Sequence, residues 1–430
     1  MVHAQPGQRH RVDKSRQLQR RLYRAAKRSR NRRFHALYDR MVRPDILWRA
    51  WQEVRANGGS AGVDGIGIED VECQGVDGFL QAIADDLKGG SYHPQPVLRV
   101  YIPKPDGRQR PLGMPTVRDR VVQQACKLVI EPLFEANFQD HSDGFRPKRS
   151  AAQAVNRVKE HLVGGWYVVD ADIEAYFDTI DHDVLMSRVT RRISDRRVLK
   201  LLRQWLQVGV LEEGRWQATE RGCPQGGGIS PLLANIYLHG LDMYWTERYT
   251  ALGSLTRYAD DVVIVCRTRA AAQRTLEAVT QVLQKLKLTL HPTKTRIVEM
   301  QHEGFEFLGF HFKKVRARKS GRLVPLMWPG QKALKAVRSQ IRSETLRRSL
   351  SGSLAALVAK LNPIIRGWRN YFRVGNSTQQ VQALDRYVRL RLLKWGLARR
   401  QRAVVRDPRA WLRQSGLEYF YLPGICGGRP

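Results

Sequence analysis

LTRYADDVVIVC, Leu255 to Cys266, is two apolar runs that meet at a pair of adjacent aspartates, Asp260 and Asp261. β-Branched residues on both sides of the pair predict two short strands closed by a tight turn. Aspartate is common in turns, and taken alone an Asp-Asp pair is ordinary turn chemistry. A second acidic cluster changes that reading. WYVVDAD, Trp166 to Asp172, is another short aromatic and β-branched strand, and it ends in Asp170 and Asp172. Two carboxylates about 4 Å apart repel by about 1 kcal/mol in bulk water and by about 4 kcal/mol at an effective dielectric near ~20. Acidic strand ends that converge therefore favour a cation between them. Ligation by a few oxygens fits magnesium, which keeps most of its waters and shares phosphate oxygens with a substrate. Two such ions about 3.5–4 Å apart can activate a hydroxyl nucleophile and steady a leaving pyrophosphate in one in-line displacement. The chemistry implied is nucleotidyl transfer.

Around these strands the chain alternates helical and strand-like segments. Asp45 to Ala56 places Ile46, Leu47, Ala50, Trp51 and Val54 on one helical face and stops at Asn57-Gly58-Gly59. Val97 to Pro115 predicts two strands joined at Pro105-Asp106-Gly107, a tight-turn signal. Helices are expected from Arg118 to Phe138, His182 to Thr190 and Asp195 to Val208, and a long buried one from Pro231 to Tyr249 after the glycine-rich loop Gly222 to Gly228. Helices mixed with hairpins argue for an α+β core built on an antiparallel sheet. Beyond Gly330 the sequence turns helical and arginine-rich, which puts a domain boundary between Arg316 and Gly330. Arg9 to Arg33 reads as a basic helix carrying Leu18, Leu22, Ala25 and Ala26, or else as a basic tail that orders on a partner.

The 430 residues carry 74 Lys plus Arg against 40 Asp plus Glu, a formal charge of +34. Such an imbalance calls for a polyanionic partner. Because the basic residues are spread along the whole chain among aromatics, nucleic acid is favoured over a membrane surface. No run approaches the roughly 18 apolar residues of a membrane span, and the N-terminus has no apolar leader core. Cys73, Cys126, Cys223, Cys266 and Cys426 are widely separated, as expected of reduced thiols in a cytoplasmic protein.

The tetrapeptide Tyr258-Ala259-Asp260-Asp261 resembles the YADD box of bacterial group II intron-encoded reverse transcriptase/maturases. Asp172, opening DIEAYFDTIDH, matches that family's first palm aspartate. Further boxes follow in the family's order: Asn57 to Gly65, Ile102-Pro103-Lys104 with Arg110-Pro111-Leu112, Gly144-Phe145-Arg146-Pro147, Pro224-Gln225-Gly226, Ser230 to Asn235, Thr293-Lys294-Thr295 and Gly304 to Phe310. One departure is Asp143, where the family more often has tyrosine. The resemblance covers about residues 45 to 400. It implies a right-hand polymerase: an α+β fingers and palm core with an antiparallel palm sheet, then an all-helical thumb or maturase domain. The expected division is a basic extension (1–44), fingers (45–150), palm (151–315), thumb (316–390) and a basic DNA-binding end (391–430).

By the same resemblance Asp172, Asp260 and Asp261 are catalytic and, with Ile173, hold two Mg2+ ions, while Asp170 and Asp178 either support these ligands from behind or are structural. Lys104, Arg110, Phe177, Gln225 and Lys294 face the incoming deoxynucleoside triphosphate. Positive groups are needed there to neutralise the phosphates. Phe177 is either a ring that excludes a ribose 2′-hydroxyl or an ordinary core residue. Arg146 supports the template or makes a structural ion pair. Arg366, Arg369 and Arg373 face RNA, beside Trp368, Tyr371 and Phe372, whose surface is mostly core. The partners implied are group II intron RNA, an RNA template with a DNA primer, target DNA and deoxynucleoside triphosphates, with no membrane and with a homodimer left open. No His-Asn-His nuclease motif follows before Pro430, so DNA cleavage is expected from the intron RNA or is not required. Two other readings are an RNA-binding splicing cofactor without polymerase activity, and a domesticated reverse transcriptase of phage defence or DNA repair.

Overall fold

The computed structural model describes residues 6–103, 109–224, 226–346, 353–398 and 406–421. In chain order the described strands are β1 (Val97–Pro103), β2 (Gln109–Met114), β3 (Tyr167–Asp172), β4 (Val210–Glu212), β5 (Arg215–Gln217), β6 (Ser254–Tyr258), β7 (Asp261–Cys266), β8 (Arg296–Glu299), β9 (Phe305–Phe307), β10 (Phe310–Arg316) and β11 (Leu323–Pro329). They form three sheets.

The palm sheet has the order β6-β7-β3-β8, antiparallel throughout. Its central strand β7 is apolar from Val262 to Cys266 and buried throughout that run, because both faces of the sheet are covered. Val169 and Ala171 of β3 join a core shared with the helices Val117–Glu135, Ser230–Tyr244 and Arg269–Lys285. Val168, just before them and on the opposite face, points to a second core with Val263, Val265 and Val298.

The fingers sheet has the order β2-β1-β4-β5. The β1–β2 hairpin read from the sequence is present, with Ile102 opposite Arg110, and β4 pairs parallel to β1. Residues 210–217 therefore belong with the fingers, which the 150/151 boundary does not allow. Two three-residue strands around Glu213-Gly214 are too short to leave a periodic signal.

The third sheet, β11-β10-β9, moves another boundary. A cut at 315/316 falls inside β10, which pairs along its whole length with β11, and the helical region opens only at Gln331. Phe305, Phe307, Phe310, Phe312 and Met327 of this sheet pack with Val168 and Val263 of the palm and with Phe372 of the following helices. The sheet is thus the joint between palm and thumb.

After Gly330 all regular structure among the described residues is helical: Gln331–Glu344, Leu354–Phe372, Thr378–Ala398 and Pro408–Gln414. The expected division at 390/391 is also displaced. Thr378–Ala398 runs through it unbroken, and Trp411, Leu417 and Phe420 fold back into the core made by Leu334, Ile341, Leu361, Ile365, Leu384 and Leu392. Basic composition hid these widely spaced apolar anchors. At the other end of the chain, Pro6–Arg28 is a docked helix that buries Leu18, Leu22 and Ala26. No described helix is long and apolar enough to cross a membrane.

Candidate active site

The register of the palm sheet brings the acidic clusters together. Asp172, the last residue of β3, lies directly across the ladder from Asp261, the first residue of β7. Tyr258 of β6 is Asp261's partner on the other side, so Ala259 and Asp260 form a two-residue turn. Ala259 has φ 57°, the left-handed conformation such turns demand. For a residue other than glycine this costs on the order of 1–2 kcal/mol, and packing beneath the turn must hold it.

That packing is a buried ion pair. Arg257 is completely buried, and its guanidinium grips Asp242 twice, Nε donating to Oδ1 at 2.8 Å and Nη2 to Oδ2 at 2.5 Å. Its Nη1 donates to the Ala259 carbonyl at 2.8 Å and to Asn235 Oδ1 at 3.0 Å. The Asn235 amide in turn donates to the Gly144 carbonyl at 2.7 Å. Burial pushes the Asp242 carboxyl up, yet the Arg257 charge prevails and holds it well below the usual carboxylate range. Gly144 closes the arrangement, since a Cβ there would stand 2.9 Å from the Tyr258 carbonyl carbon and 3.0 Å from Ala259 Cα.

The carboxylates above this base repel one another. Burial, reinforced by the charges of Asp260, Asp172 and Asp170, pushes Asp261 up to about 7. Asp260 is raised by burial and by Asp172. Burial raises Asp170 to about 6 against the pull of Arg296, 3.7 Å away. Asp172 is relieved by a cation already: Lys294 Nζ donates to its Oδ2 at 2.8 Å. The main chain at the end of β3 is fixed by His291 N donating to the Asp172 carbonyl and Glu174 N donating to the Thr289 carbonyl. Ile173, bridged to Leu290 between these bonds, therefore turns its own carbonyl to the opposite side, that of β7.

Among the described residues no three His, Cys, Asp or Glu side chains are gathered into a closed ligand cluster. The donor set nonetheless fits a hard divalent cation. It offers only oxygens, the charges of its neighbours help push Asp261 up, and an ammonium already sits on Asp172. Asp172, Asp260, Asp261 and the Ile173 carbonyl are the groups that would hold it.

Other expected site residues fall into two groups. Arg110 is exposed on β2, and its charge acts on Asp260. Phe177 is half-buried, set edge-on against Tyr176 at 5.4 Å, with its carbonyl accepting from Cys223 N. Lys104 and Gln225 lie outside the described residues. Arg146 is not free to support a template: it is buried, paired twice with Glu135 at 2.7 and 3.0 Å, and donates to the carbonyls of Gln139 and Ser142. The structural ion pair is what the position holds. Arg369 likewise spends its guanidinium on Glu418 and the Tyr419 carbonyl, while Arg366 pairs with Glu418 at the surface. Arg373 is exposed. Asp143, the departure noted in the sequence, is buried between Arg149 and Arg157.

The base of the site was not read from the sequence. Arg257 carried a signal, being a charge inside an apolar strand next to the aspartates, whereas its partners Asn235 and Asp242 sit seven residues apart on a helix that reads only as buried. Tyr371 also escaped as a palm contact; its hydroxyl donates to the Leu308 carbonyl at 3.0 Å, tying the thumb to the palm.

A palm sheet with acidic strand ends, a fingers hairpin above it and a helical thumb define the reverse transcriptase class. Residues 102–312 match the family described as reverse transcriptase (RNA-dependent DNA polymerase), and residues 334–415 match the maturase-specific domain of group II introns. The chain is 37% identical over 319 residues to protein YkfC of Escherichia coli K12, covering 66% of this chain and 80% of that one. It is 41% identical over 216 residues to the group II intron-encoded protein LtrA of Lactococcus lactis subsp. cremoris, covering 49% of this chain but 35% of LtrA. An uncharacterized 91 kDa protein in the cob intron of Schizosaccharomyces pombe is 27% identical over 406 residues, 78% of this chain and 50% of that protein. The chain belongs to the group II intron-encoded reverse transcriptase/maturase family.

Proposed function

We propose that the protein is an RNA-directed DNA polymerase that uses two Mg2+ ions, binds group II intron RNA to assist its splicing, and copies that RNA into DNA primed at a target site. The observation that carries the reading is the pairing of Asp172 with Asp261 across the β3–β7 ladder, with Asp260 in the adjoining turn. A protein that only bound RNA would gain nothing from holding repelling carboxylates together. When bound, the ions supply activation of the primer 3′-hydroxyl and charge neutralisation on the departing pyrophosphate.

The chain's own groups supply the rest. Arg257 and Asp242 hold the turn so that Asp260 and Asp261 keep their aim without rearranging during the reaction. Arg110, together with Lys104, offers positive charge to the triphosphate. Lys294 exchanges its contact with Asp172 for one with the leaving phosphates, or donates a proton to them. The Phe177 ring excludes a 2′-hydroxyl and so selects deoxynucleotides. Maturase function is supported by the match over residues 334–415 and by the arginines of that region.

Primer extension on an RNA template with Mg2+ tests the proposal. The wild-type chain should extend a DNA primer with deoxynucleotides, and Asp260→Asn should abolish extension while leaving RNA affinity within about twofold. Absence of product from the wild-type chain would leave the splicing cofactor as the remaining reading.

A further inference from the structure

Helix Ser230–Tyr244 presents Asn235 and Asp242 to the catalytic turn, and another of its faces borders a cavity of about 660 Å³. Arg30, Arg188, Arg191, Arg192 and Arg248 line this cavity against the single carboxylate of Glu247. Among the described residues no ion pair reaches Arg30, Arg188, Arg191 or Arg248. The one fully buried carboxylate nearby, Asp242, is taken by Arg257.

Arg188 is the telling group. It is half-buried, its Nε is buried without a hydrogen-bond partner, and both burial and the charge of Arg191 weaken its hold on its proton. Leaving a guanidinium this way costs free energy unless something outside the chain completes it. Room has nevertheless been made for it. Gly240 interrupts a buried helix, and a Cβ there would stand 2.5 Å from Arg188 Cζ and Nη1. Beside it Tyr244 lies between two cations, Arg248 Cζ 5.8 Å and Lys285 Nζ 5.5 Å from its ring centre.

We propose that this arginine-lined cavity, on a face of the palm helix other than the catalytic one, is a docking site for the phosphodiester backbone of structured RNA. Unpaired guanidiniums on a concave wall are suited to bidentate contact with phosphate oxygens. The site rests on the RNA-binding reading above and adds a place for that RNA away from the polymerising cleft.

The test reverses two exposed lining charges, Arg191→Glu with Arg248→Glu, and compares them with a control of equal charge change on another face, Arg269→Glu with Arg274→Glu. Affinity for a fluorescently labelled structured RNA is measured across a salt series, with primer extension on a short template in parallel. The cavity pair should weaken RNA binding by about tenfold or more and flatten the log affinity against log salt slope by about 1.5, as expected for two lost phosphate contacts. Primer extension should stay unchanged. Equal weakening by the control pair, or an unchanged slope in the cavity pair, would overturn the site while leaving RNA binding intact. Failure of the wild-type chain to bind the RNA would overturn the broader reading with it.

Discussion

Gly144→Ala is the substitution whose consequence follows most directly from the geometry of the turn. The φ of Gly144 is not in the left-handed region, so alanine is acceptable to its backbone and only space is at issue. The new Cβ would overlap the backbone nitrogen of Ala259 and start 2.9 Å from the Tyr258 carbonyl carbon and 3.0 Å from Ala259 Cα, whereas carbon atoms rest at about 3.5–4.0 Å. The turn must therefore retreat by about 1 Å or more, and the neighbours are backbone atoms with no rotamer to change. Overpacking of this kind costs about 1–3 kcal/mol of stability. A displacement near 1 Å in a reacting constellation costs about 10²-fold in rate, or about 2.7 kcal/mol of barrier. Single-turnover primer extension should show kcat down by about 10- to 100-fold, with template-primer affinity hardly changed. Gly367→Ala is the control: it lies in helix Leu354–Phe372 with open space around its Cβ position, and it should stabilise by about 0.5–1 kcal/mol. A Gly144→Ala protein with wild-type kcat and wild-type denaturation would refute the argument that this contact aims the aspartates.

Asp242→Asn strips the buried Arg257 of its counter-charge and should lower unfolding free energy by about 3–5 kcal/mol in urea titration; a loss below about 1 kcal/mol would mean that water reaches the pair. Asp261, at about 7 in the ligand-free protein, must lose its proton to hold a metal ion. Apparent Mg2+ affinity for primer extension should rise about tenfold per pH unit below pH 7 and level off above it, and a flat profile from pH 6 to 8 would exclude that carboxyl. Because this folded-state pKa is raised above the unfolded value near ~4, its contribution to ligand-free stability is present below pH ~4 and lost as pH rises through 7. Asp261 is exposed as a residue while its carboxyl is crowded by protein atoms and by the neighbouring aspartates, so solvent screens much of the effect and the loss should be on the order of 1 kcal/mol, detectable as a higher midpoint for Asp261→Asn at pH 8. Phe177→Ala should let ribonucleotides into the product, and an unchanged sugar preference would return that ring to the core.

Strand identity, the fingers hairpin and the three aspartates were legible because each is local: apolar alternation, a turn signal, acidic strand ends. Register was not. Nothing in WYVVDAD or LTRYADDVVIVC alone sets Asp172 against Asp261 and not against a neighbour; that follows from cores packed on both faces of β3. The domain boundaries slipped for a related reason. β4 and β5 are three residues each, and β11 lies in the stretch from Arg316 to Gly330 that the expected division gave to the thumb. Arginine is the residue whose role the sequence hid most. Arg146, expected either to support a template or to make a structural ion pair, and Arg369, expected to face RNA, are both paired within the fold, and Arg257 anchors the Ala259-Asp260 turn from a position inside the core. A guanidinium serves a buried carboxylate and a phosphate by the same bidentate geometry, so residue type alone does not separate the two.

Manganese binding counted by electron paramagnetic resonance, with a 3′-deoxy-terminated primer on an RNA template and the next deoxynucleotide present, tests the account most directly. The wild-type chain should hold two ions at the end of the β3–β7 ladder, and Asp172→Asn and Asp260→Asn should each lose at least one. Equal stoichiometry and affinity in all three proteins would mean that the carboxylates do not carry the ions, and the polymerase mechanism would fall with them.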